Sequence, residues 1–458
     1  MTERLPRYAL AAFVVGLALH NLVMAELWDA GARGRSLDVV AAWKEALLAV
    51  ALGLALWQAR RIPVETAADA LALGYAAIVV AYAVLPQHWL GGAATTKGVL
   101  YASRHDLVPV AAYFLGRSTV IGVRDRTRTA WLAVAVGIAL SVWGLVDVYL
   151  VPLQWWRDSG VPGWFRDQLS LRSSGLSGLP ENWVYNTGDE THPIRRLVST
   201  FLSPLASAYL LVVVLLFLAA RERFSRRTGL AAAVCFAGLL WTHTRAATLA
   251  LAAGLVLLAA AGRRLLPLGY AALVVVLSVA FFAAYTSIGP STSYTATELA
   301  YLRANARAHP GAGGDPFSAG DTSLASHWRN LRQGIRTVVH HPQGYGLGNA
   351  GTEARRTGVA PLAGESTYTQ LGVEVGVVGL LAFCAWCAAV LGALWARSAW
   401  LFAAFGTVLL LALQTDVLGV HWLVYVGFGL CGAALGDSEG WSSPVGMSRR
   451  SRAATLEG

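Results

Sequence analysis

Long apolar stretches alternate with shorter polar connections along most of this chain. The apolar stretches are continuous, and many reach about 17–25 residues, the length that crosses a lipid bilayer as an α-helix. A membrane-spanning strand would instead alternate apolar and polar positions. The pattern predicts an all-α polytopic membrane protein with about twelve transmembrane helices, at residues 8–25, 38–59, 67–85, 97–116, 130–151, 197–220, 228–243, 246–262, 268–286, 366–395, 399–416 and 420–436.

Arginine-rich connections orient these helices. They include "QARRIP", "GRSTVIGVRDRTRT", "RERFSRRTG" and "GRRLLP", and they fall on alternate connections, on the same side as both termini. Because cytoplasmic loops carry an excess of Lys and Arg, we expect both termini in the cytoplasm and a location in the inner (cytoplasmic) cell membrane.

This orientation divides the chain into four parts. Helices one to nine lie in 1–286 and include an outward loop at 152–196. A large, partly helical extracytoplasmic loop occupies 287–365, and helices ten to twelve lie in 366–436. The remaining residues, 437–458, are predicted to form a disordered cytoplasmic tail.

Composition agrees with this assignment and narrows the chemistry. Of 458 residues, 56% are hydrophobic and 14% charged, and the net charge of +10 is explained by the cytoplasmic loops, so a nucleic-acid partner is not indicated. Cys384 and Cys387 form a CxxC inside a predicted span, where core packing is the expected role. Because the sequence contains no Asp-x-Asp pair and no tight His/Asp cluster, we predict no metal site and no cofactor.

The loop at 287–365 contains a helical pattern in "TSLASHWRNLRQGIRTVVHHP". Its apolar residues Leu324, Trp328, Leu331, Ile335 and Val338 follow helical spacing, and Arg329, Arg332 and Arg336 share another face. Two interpretations stay open and are compatible: an amphipathic helix on the membrane surface, or a basic stripe facing an anionic substrate. The glycines of "HHPQGYGLGNAG" indicate a tight backbone path rather than a dinucleotide site.

Ionisable residues in the predicted spans concentrate in their outer halves, whereas the inner halves are nearly free of charge. Residues of this kind are costly in a membrane and are functional candidates, although ion pairing between helices explains any single one equally well. The pattern predicts a polar cavity open to the outside above a hydrophobic floor. The residues concerned are Lys44, Glu45, Arg104, His105, Asp106, Asp147, Arg195, Arg196, His243, Arg245, Glu365, Glu374, Asp416 and His421.

Three arginines of this set come from different helices. The planar guanidinium groups of Arg104, Arg196 and Arg245 would form a clamp for a diphosphate if they converge. Such a clamp stabilises the charge that develops on a diphosphate leaving group, which many glycosyl-transfer enzymes achieve with a metal ion. Glu365, where the outer loop meets the membrane, is a candidate general base for an acceptor hydroxyl.

Four segments carry recognisable motifs. They are "HPIRRLVSTFLSPLASAYLL", "THTRAATLALAAG", "HHPQGYGLGN" and "ESTYTQLGVEVGVVG". Together with their order, the twelve predicted spans and the large outer loop, they resemble the O-antigen ligase / O-antigen polymerase superfamily, integral-membrane glycosyltransferases of the GT-C type.

The resemblance implies an inverting, metal-independent transfer of a glycan from a polyprenyl diphosphate, such as undecaprenyl diphosphate, to an acceptor sugar at the outer leaflet. It implies substrate or phosphate roles for Arg196 and Arg245 and a catalytic residue at the first position of the fourth motif. That position holds Glu365 rather than the His of the ligase pattern, and Glu-Ser there is more similar to the polymerase-like branch. Polymerase and ligase both stay open, and so does the acceptor.

The predicted site has two parts. Glu365 and Arg245 are the predicted catalytic residues. The predicted substrate-binding residues are Arg196, Arg104, Arg195, His243, Arg329, Arg332, Arg336 and His341. A twelve-span transporter or flippase of a lipid-linked or anionic glycan is the alternative function, although the charge-free inner halves and the uneven loops disfavour it. A non-catalytic scaffold in envelope assembly is a third hypothesis, and only the cavity chemistry argues against it.

Overall fold

The computed structural model describes residues 5–119, 121–171, 179–185, 193–221, 225–308 and 322–436. This part of the chain is almost entirely helical. The helices are α1 (Leu5–Asp29), α2 (Gly34–Ala41), α3 (Trp43–Ala59), α4 (Ala67–Val84), α5 (Thr96–Ser118), α6 (Val123–Leu150), α7 (Leu153–Asp158), α8 (Pro204–Ala219), α9 (Arg226–Trp241), α10 (Arg245–Gly262), α11 (Leu266–Ile288), α12 (Ala296–Ala308), α13 (Thr322–His340), α14 (Gly351–Arg356), α15 (Thr367–Arg397), α16 (Ala399–Leu411) and α17 (Gly429–Gly436). Two π-helical turns occupy Gly163–Gln168 and Leu423–Phe428, and β1 (Val184–Tyr185) pairs antiparallel with β2 (Ile194–Arg195).

Within the described residues, seven helical segments are long and apolar enough to cross a membrane. They are Pro6–Asp29, Gly34–Ala59, Ala67–Val84, Val123–Leu150, Arg245–Gly262, Leu266–Ile288 and Thr367–Arg397. Three shorter apolar helices lie at Pro204–Ala219, Ala399–Leu411 and Leu423–Gly436. The all-α, multi-pass character that the hydrophobic pattern predicts is therefore supported. Each of the twelve predicted segments contains helix, but the count of twelve spans stays a prediction.

Small residues bring the helices of the bundle close together. The closest pair is α5 with α17: a Cβ on Gly116 would lie 2.0 Å from the carbonyl oxygen of Gly429, and one on Gly432 would lie 2.0 Å from that of Tyr113. Helix pairs in membranes associate through such backbone-to-backbone contact, because lipid removes the hydrophobic driving force. Helix α10 packs on α16 and α15 packs on α4 in the same bundle.

The described residues of the predicted loop at 152–196 contribute to a small core of their own at one end of the bundle. Three tryptophans, Trp156, Trp164 and Trp183, are buried there with Met24 and Ala25 of α1. The indole nitrogen of Trp156 donates a hydrogen bond to Oδ1 of Asp147 at 2.6 Å. That of Trp183 donates to the carbonyl of Leu202 at 3.0 Å. This segment therefore rests on the helix ends rather than projecting from them.

Helix α15 contains a break that shapes the same end of the bundle. Gly376 has φ 67° and ψ −179°, which interrupts the helix, and the backbone of 342–343 fills the break. The amide of Val377 donates to the carbonyl of Pro342 at 2.8 Å. A Cβ on Gly376 would lie 2.7 Å from two carbonyl oxygens of that segment, so only glycine fits there.

The predicted loop at 287–365 contains α12, α13 and α14. Helix α13 occupies the segment where the apolar spacing predicts a helix, and it packs against α15. Val338 is buried in that contact, whereas Arg329, Arg332 and Arg336 are exposed. The glycine- and proline-rich run at 309–321 and the predicted tail at 437–458 lie outside the described residues.

Candidate functional site

The tight turn between α9 and α10 places a basic group at the end of the bundle. Helix α9 ends at Trp241 and α10 begins at Arg245, so only Thr242, His243 and Thr244 connect them. His243 takes a φ of 48°, in the left-handed region, which lets the chain reverse within this distance. The same turn receives Arg196, which follows β2 and approaches from the neighbouring loop.

Arg196 is held by neutral groups of this turn. Its Nε donates to the carbonyl of Thr242 at 2.9 Å, and its Nη2 donates to Oγ1 of Thr244 at 3.1 Å. Among the described residues, no carboxylate pairs with it within 4 Å. Burial, together with the positive charge of Arg245, lowers the pKa of Arg196 to about 10. The guanidinium groups of Arg196 and Arg245 are close enough to affect each other, and Arg196 has no carboxylate partner among the described residues. This arrangement attracts an anion.

His243 lies between aromatic rings beside these arginines. Its imidazole stacks on Tyr285 at 4.4 Å between ring centroids and meets the Tyr185 ring at 4.2 Å with the planes tilted by 39°. Burial and the charges of Arg196 and Arg245 hold its pKa well below the usual value, so the ring is neutral. Its Nε2 is buried and has no hydrogen-bond partner among the described residues. A neutral imidazole with one unused nitrogen can accept or donate a hydrogen bond to a bound group.

Arg195 and Arg196 are neighbours in sequence with different surroundings. Arg195 is buried, and its Nη2 lies 3.2 Å from both carboxylate oxygens of Asp147. Its Nη1 donates to the carbonyl of Asp147 at 3.0 Å and also to that of Val151. Tyr285 donates to the Arg195 carbonyl at 2.5 Å. This full set of partners favours a structural role over the substrate-binding role that the sequence predicts.

Arg104 lies on a different feature, a cavity of about 190 Å³. There it pairs with Glu45 at 3.5 Å and lies 5.6 Å from the centre of the Tyr101 ring. Arg356 of α14 lines the same cavity. In the described residues, Arg196 interacts electrostatically with Arg245, and Arg104 interacts in the same way with Arg356 on the cavity lining. Arg104 thus belongs to a different group from the other two predicted clamp arginines.

His105 and Glu353 line this cavity, and His105 contacts two further carboxylates. His105 of α5 contacts Asp106 through Nδ1 at 2.8 Å and Asp416 through Nε2 at 3.0 Å. Glu353 of α14 completes a group whose candidate ligand atoms all lie within 4.8 Å of one another. Sequence analysis predicts no metal site, because these three residues stand far apart in the chain and only the fold brings them together.

Tyr209 lies near both the basic turn and the carboxylates around His105. Tyr209 of α8 donates from its hydroxyl to Oγ1 of Thr415 at 2.8 Å, and its own environment includes the charges of Arg196 and Asp416. Thr367, at the start of α15, accepts the amide hydrogen of Val417 at 2.9 Å. These contacts place the start of α15, two residues after Glu365, beside Asp416.

Glu365 is bound to α13 rather than exposed on its own. Nδ1 of His327 donates to Oε2 of Glu365, and Nδ2 of Asn330 donates to Oε1 at 3.1 Å. Burial raises the pKa of Glu365. The hydrogen bond from His327 and the charge of that ring, followed by the hydrogen bond from Asn330 and the charge of Arg355, lower it more, so the net pKa lies below the usual value. Its φ of 33° is unfavourable for a non-glycine residue, so these contacts hold a strained position.

This arrangement bears on the predicted role of Glu365 as a base. A carboxylate with a lowered pKa is a weak proton acceptor, but it is well suited to orient an imidazole. His327 belongs to no motif of the sequence, and the apolar spacing of α13 contains no signal for its partner 38 residues away. For that reason, sequence analysis could not identify the pair of His327 and Glu365.

The remaining predicted substrate-binding residues are His341 and three arginines of α13. His341 donates from Nε2 to the carbonyl of Leu90 at 2.9 Å and stacks on Tyr345 at 3.9 Å between ring centroids. These contacts fit a structural role. Arg329, Arg332 and Arg336 are exposed on α13, with Arg332 lying 4.8 Å from the centre of the Trp328 ring. Both interpretations of this basic face stay open.

The fold and these contacts describe a multi-pass membrane protein with a basic turn between α9 and α10 and a cavity lined by both arginines and carboxylates. A family model described as O-antigen ligase, Wzy_C, matches residues 230–384, from within α9 to within α15. This match confirms the resemblance to the O-antigen ligase / O-antigen polymerase superfamily, and it includes Arg245, His327 and Glu365. Members of this superfamily act on lipid-linked glycans in a membrane. No curated protein matches the chain.

Proposed function

We propose that this protein is a membrane glycosyltransferase that moves a glycan from a polyprenyl diphosphate to an acceptor sugar at the outer leaflet of the cell membrane. The observation that carries the proposal is the O-antigen ligase match over a segment that also supplies Arg245 and the Glu365–His327 pair. The proposed orientation has both termini in the cytoplasm and the basic turn facing outward, as the arginine-rich loops indicate.

Arg196 and Arg245 hold the donor diphosphate in this proposal. Arg196 is fixed by two neutral hydrogen bonds and has no carboxylate to displace among the described residues. The unused Nε2 of His243 adds a further polar contact beside them. Preorganised cationic donors stabilise the negative charge that develops on the leaving diphosphate, and we propose that they do so in place of a metal ion.

The Glu365–His327 pair activates the acceptor. Glu365 stays ionised and orients His327 through Nδ1, which leaves Nε2 free to accept the proton of an acceptor hydroxyl. As that proton transfers, the acceptor oxygen bonds to the anomeric carbon on the face opposite the diphosphate. The bond from that carbon to the diphosphate oxygen breaks, and the electron pair leaves with the polyprenyl diphosphate, giving inversion.

The test is one reaction with purified protein and an undecaprenyl-diphosphate oligosaccharide, without added metal. We expect release of undecaprenyl diphosphate together with glycans that are longer than the donor. A ladder of repeat units identifies a polymerase. If the donor alone gives no product but a lipid-linked sugar acceptor supports a single transfer, the protein is a ligase. Movement of intact donor across liposomes without cleavage would contradict the proposal and favour a flippase.

A further inference from the structure

We propose that His105, Glu353 and Asp416 bind one divalent cation that accepts mixed nitrogen and oxygen ligands, such as Mn²⁺ or Zn²⁺. The inference goes beyond the proposed transfer reaction, which uses no metal. The cation holds three parts of the fold together: α5, α14 and the segment that follows α16.

The first observation is an excess of carboxylates around one imidazole. Asp106, Glu353, Glu374 and Asp416 act electrostatically on His105 or on one another. Asp106, Glu353 and Glu374 are buried, and Asp416 is largely so. His105, even when doubly protonated, offers one positive charge to the four carboxylates, and a bound cation would favour their ionised forms. No Lys or Arg pairs with any of them within 4 Å in the described part of the chain. Buried carboxylates without such partners are costly, and a coordinated cation removes that cost.

The second observation is the arrangement of the candidate ligand atoms. Nε2 of His105 and Oδ2 of Asp416 are 3.0 Å apart, and a carboxylate oxygen of Glu353 lies within 4.8 Å of both. A first-row cation binds nitrogen and oxygen at about 2.0–2.2 Å, so adjacent ligand atoms in its shell are about 3 Å apart. Imidazole combined with carboxylates suits Zn²⁺ and Mn²⁺ better than Ca²⁺.

The third observation is the orientation of His105. Its Nδ1 lies 2.8 Å from Oδ1 of Asp106, which fixes the tautomer and directs the lone pair of Nε2 toward Asp416. Metal-binding histidines usually have such a carboxylate on the second ring nitrogen. Without a cation or an extra proton, that lone pair would face a carboxylate oxygen at 3.0 Å, which is repulsive.

Unpaired polar atoms at the same place support a ligand. Oδ2 of Asp106, Oε2 of Glu374 and Oε1 of Gln370 are buried and lack hydrogen-bond partners among the described residues. The amide nitrogen of Gln370 is 3.5 Å from Oε2 of Glu353, so its unpaired oxygen belongs to this cluster. His105 and Glu353 also line the cavity, which provides an entry path and room for water on the cation.

The test measures binding of Mn²⁺ to the full-length protein in detergent, after treatment with EDTA and desalting. Electron paramagnetic resonance counts free Mn²⁺, and we expect about one bound equivalent that Zn²⁺ displaces. Electron spin-echo modulation should show one imidazole nitrogen bonded to the bound Mn²⁺. We expect Asp106→Asn to weaken binding by about 10- to 100-fold, and His105→Gln, Glu353→Gln or Asp416→Asn to weaken it at least as much.

His20→Gln is the matched control, because His20 is also a buried histidine but contacts Trp43 and Lys44 instead. It should keep the bound Mn²⁺. If the ligand variants do not fold, two measurements on the wild-type protein test the proposal: the number of Mn²⁺ ions bound and the coupling of the bound Mn²⁺ to an imidazole nitrogen. A folded wild-type protein that binds no Mn²⁺ or Zn²⁺, binds Mn²⁺ without a nitrogen ligand, or keeps its affinity in Asp416→Asn overturns the proposal. His105 would then be an imidazolium shared by Asp106 and Asp416.

Discussion

At the scale of single residues, the site depends on how each charged group is partnered. Arg195 and Arg196 are adjacent, yet one is neutralised by a buried carboxylate and the other is held by a carbonyl and a hydroxyl. Successive side chains of an extended segment point to opposite sides, which explains the difference. The arginine bound to neutral groups is the one suited to a substrate anion.

We predict that His327→Ala and Glu365→Gln both slow glycan transfer, since one removes the proposed base and the other its orienting partner. The expected loss in kcat is about 10²- to 10⁴-fold for His327→Ala. Binding of the donor diphosphate should be unchanged, because neither residue contacts Arg196 or Arg245 in the described structure. If Glu365→Gln abolishes transfer while His327→Ala is fully active, Glu365 is itself the base, as its sequence position first indicates.

The pH dependence of stability follows from the pKa of Glu365. Because this pKa is lowered in the folded protein, the stabilisation is complete above the ordinary value of about 4.3 and is lost as the pH falls through the lower folded value. We therefore expect wild type to melt at a higher temperature than Glu365→Gln at pH 7, and the difference to shrink below about pH 4. Thermal unfolding of both proteins in detergent measures it. A difference that grows on acidification would contradict this account.

At the scale of elements, the break in α15 connects the membrane bundle to the glycine-rich segment before α14. The break at Gly376 receives the carbonyls of 342–343, and the amide of Gly348 donates to Oε1 of Glu374 at 2.9 Å. The carboxylate of Glu374 inside this helix thus has a local structural partner. Its second oxygen faces the acidic cluster, which connects this segment with the proposed cation site.

Gly376→Ala should disrupt this contact. The substitution places a Cβ 2.7 Å from two carbonyl oxygens and requires a φ of 67°, so we expect a loss of at least about 1–2 kcal/mol in stability. Gly392→Ala in the same helix is the control, because no atom lies within 4 Å of its added Cβ. Thermal unfolding compares the two variants. Equal stabilities would show that the break does not need glycine.

At the scale of the whole molecule, the hydrophobic pattern predicts the helical membrane architecture because each span is a local property of about 20 residues. The candidate site depends instead on contacts between distant segments. His105, Glu353 and Asp416 come from three distant segments, and His327 meets Glu365 only because α13 packs on α15. Local spacing contains no information about such contacts. Sequence analysis therefore names His105 and Asp416 only as charged residues of their spans, and it names neither Glu353 nor His327.

The orientation of the molecule can be tested with single cysteines in a background that lacks the four native ones. Gln58→Cys, at the exposed end of α3, should lie on the cytoplasmic side, and Ala360→Cys, on an exposed turn before α15, should lie outside. In intact spheroplasts, a membrane-impermeant maleimide should label Ala360→Cys but label Gln58→Cys only after lysis. The opposite labelling would place the site in the cytoplasm and exclude transfer at the outer leaflet.

The most direct test of the central claim is single-turnover release of polyprenyl diphosphate from a labelled glycan donor, with and without Arg196→Gln and Arg245→Gln. We expect release to fall by at least about 10²-fold in both variants, because each removes a donor that stabilises the leaving charge. Arg35→Gln, which changes an exposed arginine, should release the diphosphate at the wild-type rate. Folded Arg196→Gln and Arg245→Gln proteins that release it as fast as wild type would contradict the arginine site, and with it the proposed mechanism.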